Sequence, residues 1–292
     1  PGHSSAASDV YKRQDYNALK LVENIEKQAL LLNIIFEIIC IDDGSFSLKN
    51  EDNQKINSLV NAKFYEAKKN IGSIKNRLLL AEKAKYDLLL FLDVDCIPAS
   101  DNFLKNYINY STNSEVIFGG CIYNNKLEPD RSLRFKFGVL REANTSFNRN
   151  KKPYKYVSSR NFLAEKNIII KILKPIKNNS YGNDYIFGAM LKKNKIDVSH
   201  INNPVIVNNV DVNEVFLKKT KDALKNLMHS YKAHELKFHD ITILKAYNFL
   251  DMFFLKKLFL NITNPIENMI YKNITGNDPK MILFDIYRLR YL

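Results

Sequence analysis

Two apolar runs that end abruptly in acidic residues constrain the fold of this chain more than any other feature. The first run spans 36–41 and ends at Asp42 and Asp43; the second spans 88–92 and ends at Asp93, with Asp95 two residues later. Short apolar runs are typical of buried strands. Because ligands of open α/β sheets bind beyond the carboxyl ends of such strands, the sequence predicts a ligand site beside two acidic pairs.

The composition indicates a globular chain with an affinity for anions. Of its 292 residues 46% are hydrophobic, and no apolar run reaches the ~18–20 residues of a membrane-spanning helix. Its three cysteines are widely spaced, which argues against a disulfide framework or zinc site and favours a reducing cytoplasm. The net charge of +13 attracts anions, but the lysines are spread along the chain and do not select one partner.

Hydrophobic periodicity predicts strands that alternate with helices. We expect a mostly parallel, Rossmann-like α/β sheet flanked by helices. The expected strands are 34–41, 62–67, 87–92 and 116–123, and the expected helices are 18–32, 72–85, 162–172 and 184–193. Residues 1–14 lack periodicity and read as a foreign, disordered leader. We therefore expect an α/β domain over 15–212 and a helical C-terminal extension over 213–292.

The acidic residues suggest chemistry as well as turns. Mg²⁺ and Mn²⁺ prefer carboxylate oxygens and often bridge protein to diphosphate, so Asp93 and Asp95 are candidate ligands of a metal or a ribose. Asp42 and Asp43 are candidates for binding a nucleoside, although Asp-Gly is also an ordinary turn. Arg77 lies on the next expected helix and could neutralise phosphate. Asp184 precedes a helix and is either an N-cap or a general base.

Taken in order, these segments resemble family 2 glycosyltransferases of the GT-A fold. The resemblance rests on residues 39–45 (ICIDDGS), 70–72 (NIG) with Arg77, 91–95 (FLDVD) and 181–184 (YGND), and it covers roughly two-thirds of the chain. It implies an inverting transferase that uses a nucleotide-sugar donor, most often UDP-linked, and Mn²⁺ or Mg²⁺. It further implies that Asp42 and Asp43 hold the nucleoside, Arg77 faces the diphosphate, Asp93 contacts ribose or metal, Asp95 binds metal, and Asp184 is the catalytic base.

Three departures from the family pattern accompany the resemblance. Asn183 stands where the family usually has Glu, and Val207 stands where a late metal-binding His is often found. His200 is nearby, but we interpret it as a structural histidine. The family also opens with a central strand, which we expect to be missing here because the leader replaces it. A missing central strand would leave its neighbours unpaired, at about 1–3 kcal/mol for each buried group.

The resemblance leaves alternative functions open. The chain could be a catalytically impaired nucleotide-sugar-binding protein of the same fold or a nucleotidyltransferase. A nucleic-acid-binding protein is disfavoured, because the predicted site mouth is acidic and would repel phosphate backbones. The expected acceptor is a glycan or lipid-linked hydroxyl in surface polysaccharide or glycolipid synthesis.

A basic and apolar segment near the C-terminus bears on localisation. Residues 253–260 (FFLKKLFL) mix lysines with apolar residues, as interfacial helices do. Peripheral association with the inner face of the membrane is one hypothesis, and packing onto the catalytic domain is the other.

Overall fold

We describe the protein from a computed structural model. It describes residues 16–124, 128–176, 182–208, 210–233, 236 and 239–292, together with the backbone of residues 4–10. Tyr181 of the expected base motif lies outside the described residues, as do residues 1–3 and 11–14 of the expected leader.

Within the described residues, a seven-stranded sheet forms the centre of the fold. Its strand order is β3-β2-β1-β4-β8-β6-β9, and a second sheet has the order β5-β10-β7. The strands are β1 (Ser4–Val10), β2 (Phe36–Asp42), β3 (Ala62–Glu66), β4 (Leu88–Asp93), β5 (Cys96–Pro98), β6 (Val116–Phe118), β7 (Cys121–Tyr123), β8 (Asn161–Glu165), β9 (Val198–His200) and β10 (Val205–Val207). Strands β1 to β4 pair in parallel, and β8 runs antiparallel to both β4 and β6.

Helices cover both faces of the sheet and make up most of the C-terminal part. They are α1 (Leu19–Leu31), α2 (Asn50–Asn53), α3 (Ser73–Lys83), α4 (Phe103–Tyr110), α5 (Ser132–Phe137), α6 (Ser146–Asn150), α7 (Lys166–Leu173), α8 (Asn183–Lys193), α9 (Asn213–Lys232), α10 (Thr242–Met252), α11 (Lys256–Thr263), α12 (Glu267–Thr275) and α13 (Met281–Arg290). The expected mixed α/β architecture with a helical C-terminal region is confirmed.

Alternate residues of the strands supply two hydrophobic cores. Ile39 and Ile41 pack with α3, α7 and α8 on one face of the sheet. Ile38 and Cys40 pack with α1 and α4 on the other. This alternation follows from the two-residue period of a strand, and it explains why β2 reads as a continuous apolar run: it is buried on both faces.

The sheet differs from the expectation at its first strand. Residues 4–10 pair in parallel with β2 and with β4, so they occupy the centre of the sheet. The expectation that the leader is disordered and the first strand missing is therefore wrong for these residues. Whether the leader is foreign to the protein stays a prediction.

Two further segments differ from their predicted structure. Residues 116–123 form two strands in different sheets, because Gly119 and Gly120 separate β6 from β7. Residues 162–172, predicted to be one helix, form β8 followed by α7. The apolar residues 162–164 have no clear period, and pairing with β4 and β6 decides their conformation.

In the part of the chain that the structure describes, no helix has the length and hydropathy needed to cross a bilayer.

Candidate active site

The first acidic pair is built into the loop that follows β2. Both carboxylate oxygens of Asp43 accept hydrogen bonds from backbone N–H groups, those of Ile71 and Gly72, at 2.7 Å each. Gly44 has a φ of +67°, and a Cβ there would lie 2.6 Å from the carbonyl carbon of Lys69. The loop is thus clamped against the residues that lead into α3, and Asp43 positions the start of that helix.

Asp42 is buried beside the same loop but keeps one oxygen unused. Its Oδ2 accepts from the Ser45 backbone N–H at 2.9 Å and from the Asn50 side chain at 3.1 Å. Its Oδ1 is buried and has no hydrogen-bond partner among the described residues. Of the two acids, only Asp42 has a carboxylate oxygen that no described protein group satisfies, and that oxygen is buried.

The second acidic pair follows β4, and its first member forms an ion pair. The Arg77 guanidinium on α3 donates to Oδ1 of Asp93 at 2.7 Å. The Arg77 side chain is 5% exposed and that of Asp93 is 26% exposed. Arg77, expected to face a diphosphate, thus contacts the carboxylate at the end of β4 directly. The pair fixes α3 to the carboxyl edge of the sheet.

Asp95 lies in the turn between β4 and β5 and has much weaker protein contacts. The described partner of its side chain is the Cys96 thiol, 3.4 Å from Oδ1. Val207 on β10 pairs in register with Cys96. The position expected for a late metal-binding histidine therefore lies beside this turn, but valine offers no ligand. No group of three or more His, Cys, Asp and Glu side chains that could hold a metal occurs among the residues described.

Asp184 lies in the first turn of α8. Its Oδ1 accepts from the Ser159 backbone N–H at 3.1 Å. The helix begins after Gly182, which has a φ of +91° and where a Cβ would lie 2.7 Å from Cβ of Ala223. This close approach to α9 fixes the start of α8, and the N-terminal end of a helix favours a negatively charged side chain. Neighbouring Asn183 is buried, and neither of its side-chain polar atoms has a partner within the described structure.

A cluster of charged side chains beside these acids was not predicted from the sequence. The carboxylate of Glu142 accepts from Arg134 at 3.1 Å and from Arg160 at 3.3 Å, and it also accepts from the Tyr123 hydroxyl. Burial raises the pKa of Glu142, but the charges of the two arginines outweigh this effect and hold the pKa at about 2. One carboxylate between two guanidinium groups leaves a net positive charge.

Backbone pairing places this cluster near the second acidic pair. The Asp93 backbone N–H donates to the carbonyl of Arg160 at 2.9 Å, extending the ladder between β4 and β8. In the sequence, residues 126–156 are rich in basic and aromatic side chains, but this composition does not identify individual partners.

Two further buried polar residues, His200 and Asn161, have structural roles. His200 is buried; its Nε2 lies 2.9 Å from the carbonyl of Pro153 and its Nδ1 lies 3.1 Å from Arg149. This agrees with the prediction of a structural histidine. Asn161 accepts from the Tyr107 hydroxyl at 2.6 Å and donates to the carbonyl of Gly120 at 2.9 Å.

One cavity of about 950 Å³ brings most of the candidate residues together. Its lining includes Arg77, Asp93, Asp95, Arg160 and Asp184. Asp42 and Asp43 are absent from the described lining, although Ser73 at the start of α3 belongs to it. The C-terminal helices add a mostly apolar wall, which includes Val215, Ile243, Ala246, Ile282, Ile286 and Leu289. The helical extension therefore forms part of the cavity.

Comparison with solved structures shows the fold. S. aureus TarS 1–349 in complex with UDP-GlcNAc superimposes with a TM-score of 0.50 and 13% identity, over 99% of this chain and 88% of that one. The mannosyltransferase PcManGT from Pyrobaculum calidifontis, in complex with GDP-Man and Mn²⁺, gives a TM-score of 0.55 and 11% identity. That alignment covers 78% of this chain and 64% of the mannosyltransferase. The shared architecture is the GT-A fold.

Comparison at the level of sequence identifies the family. A search of curated proteins finds no significant match. The sequence model of Glycosyl transferase family 2, however, matches residues 10–173, which include both acidic pairs and end before Asp184. Because that match covers more than half of the chain, the protein belongs to glycosyl transferase family 2 and is a glycosyltransferase.

Proposed function

We propose that the protein transfers a sugar from a nucleotide-diphosphate donor, UDP-linked, to a hydroxyl group of a glycan or lipid-linked acceptor, with inversion at the anomeric carbon. The observation that carries the proposal is the meeting of Asp95 and Asp184 in one cavity, beside the Arg77–Asp93 pair. The nucleotide-sugar complexes of the two structural neighbours support this class of donor.

Asp184 is the proposed general base. The Ser159 N–H holds one carboxylate oxygen, and the other has no partner among the described residues. In a single displacement, this oxygen accepts the proton of the acceptor hydroxyl while the hydroxyl oxygen attacks the anomeric carbon. The bond to the diphosphate breaks in the same step, and configuration inverts because attack and departure occur on opposite faces.

Asp95 is the proposed contact for a divalent cation that arrives with the donor. Mg²⁺ is usually held by one or two carboxylates together with substrate phosphates, and Asp95 offers a carboxylate on the cavity with little competition from the protein. The protein ligands available here fit a cation that is held largely by the nucleotide, since Val207 supplies no further ligand. Mn²⁺ or Mg²⁺ bound there would offset charge on the leaving diphosphate.

The remaining site residues have supporting roles in this proposal. Arg77 orients Asp93 for the ribose or the cation, and Asp42 supports the nucleoside side of the site through Ser45 and Asn50, which it holds by hydrogen bonds. Asp43 supports the nucleoside side of the site through the loop that it clamps. Arg160 adds positive charge near the diphosphate, because Glu142 compensates one of the two guanidinium groups that contact it.

The test separates binding from transfer. UDP-, GDP- and TDP-sugars are first screened with Mn²⁺ for thermal stabilisation of the protein, and the best donor is used for hydrolysis and transfer assays. We expect Asp184→Asn to lower turnover by about 10²- to 10⁴-fold, as loss of a general base does, while stabilisation by the donor is kept.

The matched control is Asp222→Asn, an exposed acid on α9 that is not part of the cavity lining, and it should leave turnover unchanged. Turnover within threefold of wild type in Asp184→Asn would contradict the proposed base. A wild-type protein that binds the donor but never turns it over would contradict the proposed function as a whole.

A further inference from the structure

A long stretch near the C-terminus stands away from every hydrophobic core of the protein. Of residues 245–269, all of which the structure describes, Thr263 alone is buried. Helix α10 is anchored by Ile243 and Leu244 in its first turn, and buried residues resume at Ile270 on α12. The alternative in which residues 253–260 pack onto the catalytic domain is therefore not what the structure shows.

The side chains of this stretch are not those of an ordinary exposed helix pair. Residues 249–262 include seven exposed large apolar side chains: Phe249, Met252, Phe253, Phe254, Leu258, Leu260 and Ile262. Phe254 is 91% exposed and lies at the tip between α10 and α11. Apolar side chains concentrated in this way mark protein or membrane interaction sites. We call residues 249–262 the apolar tip.

The charged side chains in and beside the apolar tip are mainly cationic. Lys256 is paired with Asp251 at 2.7 Å, and Lys245 lies 3.5 Å from Asp240. Lys257 is exposed, with no ion pair in the described structure. Glu267, the other acid of the stretch, is paired with Arg290. Apolar and aromatic residues flanked by lysine are typical of helices that lie in a membrane interface.

We propose that the apolar tip inserts into the surface of an anionic membrane. A second copy of the chain is the less favoured occupant, because a two-fold interface places the same surface against itself. It would bring Lys257 towards its own copy and join two chains that each carry a net charge of +13. An anionic lipid surface instead attracts this charge while it covers the apolar side chains.

The position of the apolar tip also bears on which acceptor substrate can reach the active site. Helix α10 contributes Ile243 and Ala246 to the apolar wall of the cavity, and its other end leads into the tip. A membrane bound at the tip would therefore lie at the end of a helix that walls the active site. This arrangement suits an acceptor whose apolar part remains in the lipid.

The experiment measures vesicle binding by the full chain and does not depend on activity. The protein is sedimented with phosphatidylcholine vesicles and with 7:3 phosphatidylcholine–phosphatidylglycerol vesicles. The test variant is Phe254→Glu/Leu258→Glu. The control is Leu31→Glu/Val60→Glu, which makes the same charge change at side chains that are 77% and 91% exposed elsewhere.

We expect wild type and control to bind the anionic vesicles more strongly than the neutral ones, and the test variant to lose at least about tenfold in partition coefficient, since burying either side chain is worth about that factor. Circular dichroism confirms that each variant is folded. Absence of binding to both vesicles, or equal losses in test and control variants, would overturn the proposal. It would also be overturned if sedimentation velocity showed a wild-type dimer that the test variant dissociates.

Discussion

The two acidic pairs look alike in the sequence but are used differently in the structure. Both follow a buried strand of the same sheet. Asp43 gives both of its oxygens to backbone N–H groups of the protein, whereas Asp95 faces the cavity with a single thiol as its described partner. The strand brings an acid to the carboxyl edge of the sheet, and the donors that surround it there decide whether it holds the protein together or remains available to a ligand.

The same distinction separates other residues of the site. Asp184 keeps one oxygen available, while the Glu142 carboxylate is shared among Arg134, Arg160 and Tyr123. His200 has both ring nitrogens engaged. Residues with available atoms should affect catalysis without much loss of stability, and residues with fully engaged atoms should do the reverse.

Of the changes within the two acidic pairs, Asp95→Asn should have the largest effect on catalysis. Removing the charge that holds the cation should lower kcat/KM by about 100-fold or more, since metal-assisted charge stabilisation is worth several kcal/mol. The free energy of unfolding should change by less than about 1 kcal/mol, because the residue makes no strong hydrogen bond. Initial rates and urea denaturation test both parts. A large loss of stability in Asp95→Asn, together with a normal kcat/KM, would show that Asp95 has the structural role that we assign to Asp43.

Of the same changes, Asp43→Ala should have the largest effect on stability. This change leaves two backbone N–H groups without their charged acceptor and should cost about 3–5 kcal/mol in the free energy of unfolding. Urea denaturation of this variant and of Asp95→Asn, side by side, gives the matched comparison. Equal stability of the two variants would mean that the loop after β2 does not depend on Asp43.

The smallest expected effect is the pH dependence contributed by His200. Burial, opposed by the hydrogen bond to Pro153 and reinforced by the charge of Arg149, lowers the pKa of His200 to about 4. An unfolded histidine has a pKa near 6.5, so between these values the unfolded chain binds more protons and the free energy of unfolding falls as pH falls.

The difference of about 2.5 pKa units corresponds to at most about 3 kcal/mol at pH 4. We expect His200→Gln to flatten this part of the stability curve, as thermal melts from pH 7 to pH 4 would show. The same slope in both proteins would assign the acid sensitivity to other groups.

Much of the fold could be predicted from the sequence because local pattern and tertiary structure agree there. Strands β2, β3 and β4 and helices α1, α3 and α8 lie within about two residues of their predicted bounds. Strand β8 could not be predicted in this way. Its apolar residues are compatible with a helix or a strand. Long-range pairing with β4 and β6 determines that they form a strand. The first strand was missed because its composition gives no strand signal.

The site was predictable to the extent that its chemistry is local. Asp93, Asp95 and Asp184, which line the cavity, could be singled out because each follows a strand or begins a helix. The cluster of Glu142, Arg134 and Arg160 could not be found, since its members lie on separate segments and meet only through the tertiary fold. The hydrogen bonds that distinguish Asp43 from Asp95 could not be predicted either, because they also depend on the tertiary fold.

The most direct test of the account is a crystal structure of the protein with UDP and Mn²⁺ bound. The account predicts that the diphosphate lies in the cavity with the cation coordinated by Asp95, and that Asp184 faces the position of the donor sugar. A nucleotide bound elsewhere, with Asp95 and Asp184 both remote from its phosphates, would contradict the claim that the available acids form the transfer site.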